Sequence, residues 1–256
     1  WSDGSLSPFG VVRQAERRGF YVIAITEINT VRPSQMARAF AGLWSADAPL
    51  VVTGEEITSA RFHIIALGIE STVTPRQTAE EAVDDVHAQG GVAIAAHPVR
   101  RFWPSLVPAR ERFDGSEAMH PIALGDRQTG WRWSEALAFR DESKRPLAAI
   151  GSSDYHWASI LGICRTLVFA REPVDAKAIV DAVRDGRTVT FDVEGRPIGH
   201  PALVAALEKE PYTPRTSDWS YAGNGAADLV LRALAWLGML GVIVLAPRAG
   251  RRPRQR

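Results

Sequence analysis

Five side chains in this sequence could share a metal ion, and each follows or opens a short apolar run. Glu56 stands in Gly54-Glu55-Glu56-Ile57-Thr58, and His63 opens His63-Ile64-Ile65-Ala66-Leu67-Gly68. His97 ends the run from Val92 and precedes Pro98, while Asp154 and His156 close Gly151-Ser152-Ser153-Asp154-Tyr155-His156. A single histidine at a strand end is more often a satisfied core or surface residue than a ligand. Glu, His, His and Asp-x-His at successive strand ends point instead to a shared metal site. Carboxylate and imidazole together suit zinc, manganese or iron better than magnesium. Asp-x-His places two donors on one side of an extended segment, and a carboxylate such as Glu56 can bridge two ions. The chemistry open to such a set is hydrolysis by metal-activated water. No serine or cysteine nucleophile signature accompanies it, so no covalent intermediate is expected. The one cysteine, Cys164, rules out an intramolecular disulfide and reads as a small core residue.

Other residues form a softer tier. Arg100 and Arg101 follow His97-Pro98 and could clamp a phosphate as fork-shaped donors; a solvated loop is the competing reading. Glu117 and His120, in Glu-Ala-Met-His-Pro, end another candidate strand, and His120 is a candidate substrate contact. His87 on a helix face and His200 in a late turn are read as structural. Trp103, Trp131 and Trp133 lie in the least regular stretch, as packing residues or as parts of a lid or pocket.

The elements that must position these groups alternate between helix and strand. Ser7-Pro8 starts a helix that Gly19 stops. Strands are expected at 21–26, 50–52, 62–69, 92–96, 147–150 and 166–170, with amphipathic helices at 78–89 and 175–185 among them. Short apolar strands separated by helices predict an α/β fold, a mainly parallel sheet with helices outside, open or closed into a barrel. Active sites of such sheets gather at the carboxyl ends of the strands.

Charged residues at 23% and hydrophobic ones at 46% describe a folded chain. A net charge of +1, without a basic stripe interleaved with aromatics, argues against nucleic acid bound as on a scaffold. After about residue 210 the composition changes. Pro211, Pro214, Gly223, Asn224 and Gly225 read as a linker, and 229–247 is apolar apart from Arg232. That stretch approaches the ~20 residues that span a bilayer, and the five arginines from Arg248 to Arg256 resemble a positive-inside tail. The expectation is a single-pass, membrane-anchored protein with an extracytoplasmic catalytic domain and a cytoplasmic basic tail. Without the span, the protein would be cytoplasmic.

Taken in order, these segments resemble the PHP family, the polymerase and histidinol phosphatase domain of metal-dependent phosphoesterases. The likeness rests on Trp1-Ser2-Asp3-Gly4-Ser5-Leu6-Ser7-Pro8, Ile23-Ala24-Ile25-Thr26 and the Glu56 and His63 motifs already quoted. It continues through Gly90-Gly91-Val92-Ala93-Ile94-Ala95-Ala96-His97-Pro98, the Asp154 motif and Gly186-Arg187-Thr188. The resemblance implies an irregular, distorted barrel of about seven strands over residues 1–192, then an extension and linker (193–228), the apolar segment and the tail (248–256). It implies two, or three, divalent metal ions. Glu56 would bridge two of them, Asp154 would bind one, His63 and His97 the other, and Asp3 and His156 would face a third position.

Two departures stand out. The His-x-His that opens the family's pattern is not in this chain, and is expected just before Trp1. Where the family reads Thr-Asp-His-Asn, this chain has Thr26-Glu27-Ile28-Asn29, and an isoleucine cannot bind a metal. The leading expectation is hydrolysis of a small phosphate monoester or diester, a nucleotide among the candidates, with His156 protonating the leaving group. Two others stand beside it: a degenerate domain serving as a membrane-tethered binding or sensing module, and a metal hydrolase of another ester or an amide.

Overall fold

The computed structural model describes residues 4, 6–74, 78–125, 132–156, 160–212, 230, 233, 234, 236 and 237. Residues 1–221 form one compact unit and residues 222–256 a second.

In the first unit, β1 (Val22–Ile28), β2 (Leu50–Thr58), β3 (His63–Leu67), β4 (Val92–Ala95), β5 (Gly115–Met119) and β6 (Ala148–Gly151) make a six-stranded sheet in sequence order. The pairs β1–β2, β4–β5 and β5–β6 are parallel, whereas β3 runs against both its neighbours. One reversed strand has a direct consequence. The carboxyl ends of β1, β2, β4, β5 and β6 share an edge with the amino end of β3, so His63 opens its strand on the same rim where Glu56 nears the end of its own. The sheet curls as a half-barrel, in keeping with a distorted barrel. A second sheet, β7 (Thr166–Val168), β8 (Thr188–Phe191) and β9 (Pro197–Gly199), is antiparallel throughout. The described strands thus number nine in two sheets, where the resemblance implied about seven in one.

Local chemistry sets the helices. Helix α1 (Pro8–Arg17) is capped by the Ser7 hydroxyl, which accepts the Gly10 N–H at 3.1 Å, with Pro8 at the first turn. Helix α3 (Ala79–Ala88) opens on a capping box between Thr78 and Glu81. The others are α2 (Arg32–Trp44), α4 (Trp103–Ala109), α5 (Trp133–Asp141), α6 (Ala176–Arg184) and α7 (Pro201–Lys209). Sequence patterning locates α1, α3, α6 and most strands within a few residues; it passes over α2, α4, α5, α7, β8 and β9. Strand β9 and α7 lie in the stretch read as an extension, and β9 pairs with β8.

The two faces of the large sheet do different work. Ile57, Ile64, Ala66, Ala93 and Ala95 point to the side covered by α3 and α4, where Val83, Val86, Phe102 and Leu106 complete one core. Val52, Ile65, Ile94, Ala148 and Ile150 point the other way and pack on Ile179, Val180 and Val183 of α6. Strand alternation puts Glu56 and His63 on this second face, past the end of its apolar layer.

The membrane-spanning helix expected over 229–247 is corrected by the structure: among the described residues, no helix is long and apolar enough to cross a membrane. The helical positions described there are 230, 233, 234, 236 and 237. The single-pass anchor, with its extracytoplasmic domain and cytoplasmic tail, falls with it. Residues 238–256 lie outside the described residues, as do Asp3 and Trp131.

Candidate metal centre

Glu56 is the hub of a first donor cluster. Its Oε1 lies 2.7 Å from His63 Nδ1 and 3.6 Å from His97 Nε2. Strand β2 fixes which of two adjacent glutamates enters the site. Glu55 turns to the opposite face, is fully buried, and accepts the Val73 N–H at 2.6 Å. Burial pushes the Glu56 carboxyl up, but the hydrogen bonds and charges of His63 and His97 outweigh it and hold it down at about 2. His97 responds in the opposite sense. Burial lowers its imidazole, and the Glu56 hydrogen bond together with the charges of Glu117, Glu56 and Asp154 raises it above the usual value.

A second cluster joins His97, His120 and Asp154, whose ligand atoms lie within 4.8 Å of one another. His120 Nε2 is 3.1 Å from Asp154 Oδ2. Burial raises the Asp154 carboxyl, while the hydrogen bond and charge of His120 bring it below its ordinary range. His120 is almost fully buried, with its ring stacked on Trp133 at 5.4 Å and 21°. The sequence suggested it as a substrate contact; the structure sets it among the donors.

His120 reaches the cluster through an irregularity. Glu117 and His120 are three apart, so strict alternation along a strand would send them to opposite faces. The β5–β6 register shifts between Glu117 and Met119, and the extra residue re-aims the side chains beyond it. Glu117 Oε2 and His120 Nε2 therefore sit 4.0 Å apart.

The backbone is strained at the same rim. His97 has φ of 27° and Asp154 φ of 39°, in the left-handed region that non-glycine residues seldom adopt. Each such residue costs about 1–3 kcal/mol. Gly151, just before the Asp154 turn, has no room for a side chain: an added Cβ would collide with the Thr190 hydroxyl and the Arg165 carbonyl.

His156 joins neither cluster among the described residues. Its Nδ1 lies 2.9 Å from the Asp154 carbonyl oxygen, and its side chain is about a third exposed. The two arginines also part company. Arg100 N–H donates to Glu135, and its guanidinium rests over Trp103 at 4.5 Å. Arg101 lies over the Phe102 ring at 4.7 Å, and that ring also touches His63 and His97 at 5.0 and 5.8 Å between centroids. His87 pairs with Asp114 at 2.7 Å and belongs to neither donor cluster. Cys164 is buried, and burial, with the charge of Glu117, pushes its thiol up to about 12, which leaves no thiolate for chemistry.

These residues fit a divalent ion on their own chemistry. One half-buried carboxylate between two imidazoles, and a second carboxylate beside His120 and the shared His97, is an N/O donor set of the zinc, manganese or iron kind.

Comparison with known proteins finds a family likeness in one segment. Residues 136–188, from within α5 to the start of β8 and including Asp154 and His156, match a family model described as PHP-associated. An uncharacterised protein of Methanocaldococcus jannaschii is 30% identical over 96 residues, 38% of this chain and 54% of that one. The chain thus spans about half the length of the curated relative it matches. Among solved structures, an amidohydrolase from Chromobacterium violaceum, with bound sulfate and no metal, is similar at 16% identity. That likeness covers 50% of this chain and 80% of the other with a TM-score of 0.38, too slight to carry an argument.

Proposed function

We propose that this chain, whose residues 136–188 match a family model described as PHP-associated, is a metal-dependent hydrolase of a small phosphate monoester or diester, a nucleotide among the candidates. The observation that carries the reading is the pair of donor clusters that share His97 on one rim of the sheet. Glu56, His63 and His97 would hold one ion, and Asp154 and His120 stand where a second would be held. A divalent ion supplies Lewis-acid activation of water and neutralises charge on phosphoryl oxygens.

The chain's own residues set the rest. Glu56 stays ionised across the physiological range, so protons do not compete for it. Phe102 walls the cluster by its contacts with His63 and His97 and shields it from bulk water on that side. Arg101, stacked on the same ring, is the candidate for a phosphate oxygen. His156, near Asp154 and partly exposed, would give a proton to the leaving group.

The test is elemental analysis of the purified protein, followed by turnover of an aryl phosphate and an aryl phosphodiester with Mn²⁺, Zn²⁺ or Fe²⁺. Bound metal with phosphoester turnover abolished in Glu56→Gln supports the reading. Turnover of carboxylic esters or amides alone moves the substrate class and retains the metal chemistry. One observation favours a second reading, a binding or sensing module: Ile28, 41% exposed, stands in register with Glu56 where the resembled family carries histidine. Tight metal binding without turnover of any of these substrates would select it.

A further inference from the structure

Glu117 is one of the most deeply buried charged residues described in the chain, and it sits among the donors without belonging to either cluster. Its Oε2 accepts the backbone N–H of His97 at 2.5 Å, and its Oε1 accepts the hydroxyl of Ser152. His97 follows β4 by two residues, and Ser152 follows β6 directly, two residues before Asp154. Strand β5 runs between those two strands, so one carboxylate ties both ligand-bearing strand ends to the middle strand.

Those strand ends are where the backbone turns left-handed, at His97 and at Asp154. A strained residue keeps its conformation only when its surroundings over-determine it. A buried carboxylate is a poor choice for stability, because its desolvation is costly and an apolar residue of similar volume packs without that cost. It is a good choice for fixing geometry, since it accepts two directed hydrogen bonds from two segments.

We propose that Glu117 is a positioning residue that latches His97 and Asp154 into their ligand geometry across three neighbouring strands. The inference rests on the metal-hydrolase reading. Its charge lies 4.0 Å from His120 Nε2 and adds to the negative field of the donor group.

Substitutions separate the latch from a mere packing role. In Glu117→Gln the amide oxygen can still accept the His97 N–H, and the amide nitrogen can donate to Ser152, whose hydroxyl rotates to accept. In Glu117→Ala both bonds are lost. The measurement is Co²⁺ and Zn²⁺ binding to the full chain by competition with a chromophoric chelator, with the Co²⁺ visible spectrum as a report of ligand geometry. Protection of the His97 amide against hydrogen exchange is read in metal-free protein.

Glu117→Ala is expected to weaken metal binding about 10- to 100-fold, to alter the Co²⁺ spectrum and to expose the His97 amide. Glu117→Gln is expected to restore binding to within about threefold of the parent, a small fraction of that loss. Should Glu117→Ala not fold, Ser152→Ala removes one of the two bonds and should weaken binding while leaving the His97 amide protected. A parent protein that binds metal, with Glu117→Ala or its Ser152→Ala substitute unchanged in affinity and spectrum, overturns the latch alone. A parent protein that binds no metal overturns the hydrolase reading, and the latch with it.

Discussion

Ile28 and Glu56 are neighbours across the parallel β1–β2 pair, in register, on the rim that carries the donors. Their side chains therefore share a face, and an apolar group borders the Glu56 carboxylate on the side away from His63. Replacing Ile28 by histidine puts an imidazole beside that carboxylate. Ile28→His should tighten binding of a divalent ion by about tenfold, or ~1.4 kcal/mol, in chelator competition. Unchanged affinity would mean that this edge of the site does not face the ion.

Glu56 and Glu55 are adjacent and should behave as opposites. Glu56→Gln removes the carboxylate shared by His63 and His97, and metal affinity should fall by at least about 100-fold with little loss of fold. Glu55→Ala leaves the Val73 N–H without its acceptor in the core, and should cost about 1–3 kcal/mol in denaturant unfolding. Its metal affinity should stay near that of the parent. A large metal defect in Glu55→Ala would mean that β2 presents its residues the other way round.

The pH dependence of metal-free stability comes from the same cluster. Glu56 is depressed to about 2 from an ordinary 4.5, so its stabilising share is present above about pH 4.5 and is lost as pH falls toward 2. His97 is raised from 6.5, so its share is present below that value and is lost as pH rises through its higher folded value. Metal-free protein should be most stable between about pH 4.5 and 6.5 as far as this pair is concerned. In Glu56→Gln both slopes should flatten, which thermal unfolding across pH would read.

Arg101 and Arg100 are the remaining contrast. Arg101→Ala should raise KM for a phosphorylated substrate about 10- to 100-fold, the worth of a charged hydrogen bond. Arg100→Ala should leave KM unchanged, because its guanidinium is engaged with Glu135 and Trp103. Equal effects of the two substitutions would remove Arg101 from the substrate site.

The ligand types and their order were legible in the chain because each sits beside an apolar run, and runs of that length and spacing are strands. Glu56, His63 and His97 form one donor cluster, while Asp154 joins His97 and His120 in a second, a grouping the motif order does not give. The apolar stretch near the C-terminus misled: hydropathy alone does not set the length of a helix, and among the described residues none is long and apolar enough to cross a membrane. His120 reads as a substrate contact from sequence because its role depends on a β-bulge, and a bulge is decided by the neighbouring strand. The sheet's pairing order was not legible either, since a strand carries no local mark of its neighbours.

What the sequence determined by itself was chemical: which donors exist, and which strand ends they occupy. What tertiary structure decided was geometric. It reversed β3 so that His63 shares a rim with Glu56, turned Glu55 into the core, and set Glu117 between His97 and Ser152. The division has a physical reason. Residue type and periodicity are local, whereas a metal centre is made from groups far apart in the chain that meet only when the sheet is paired.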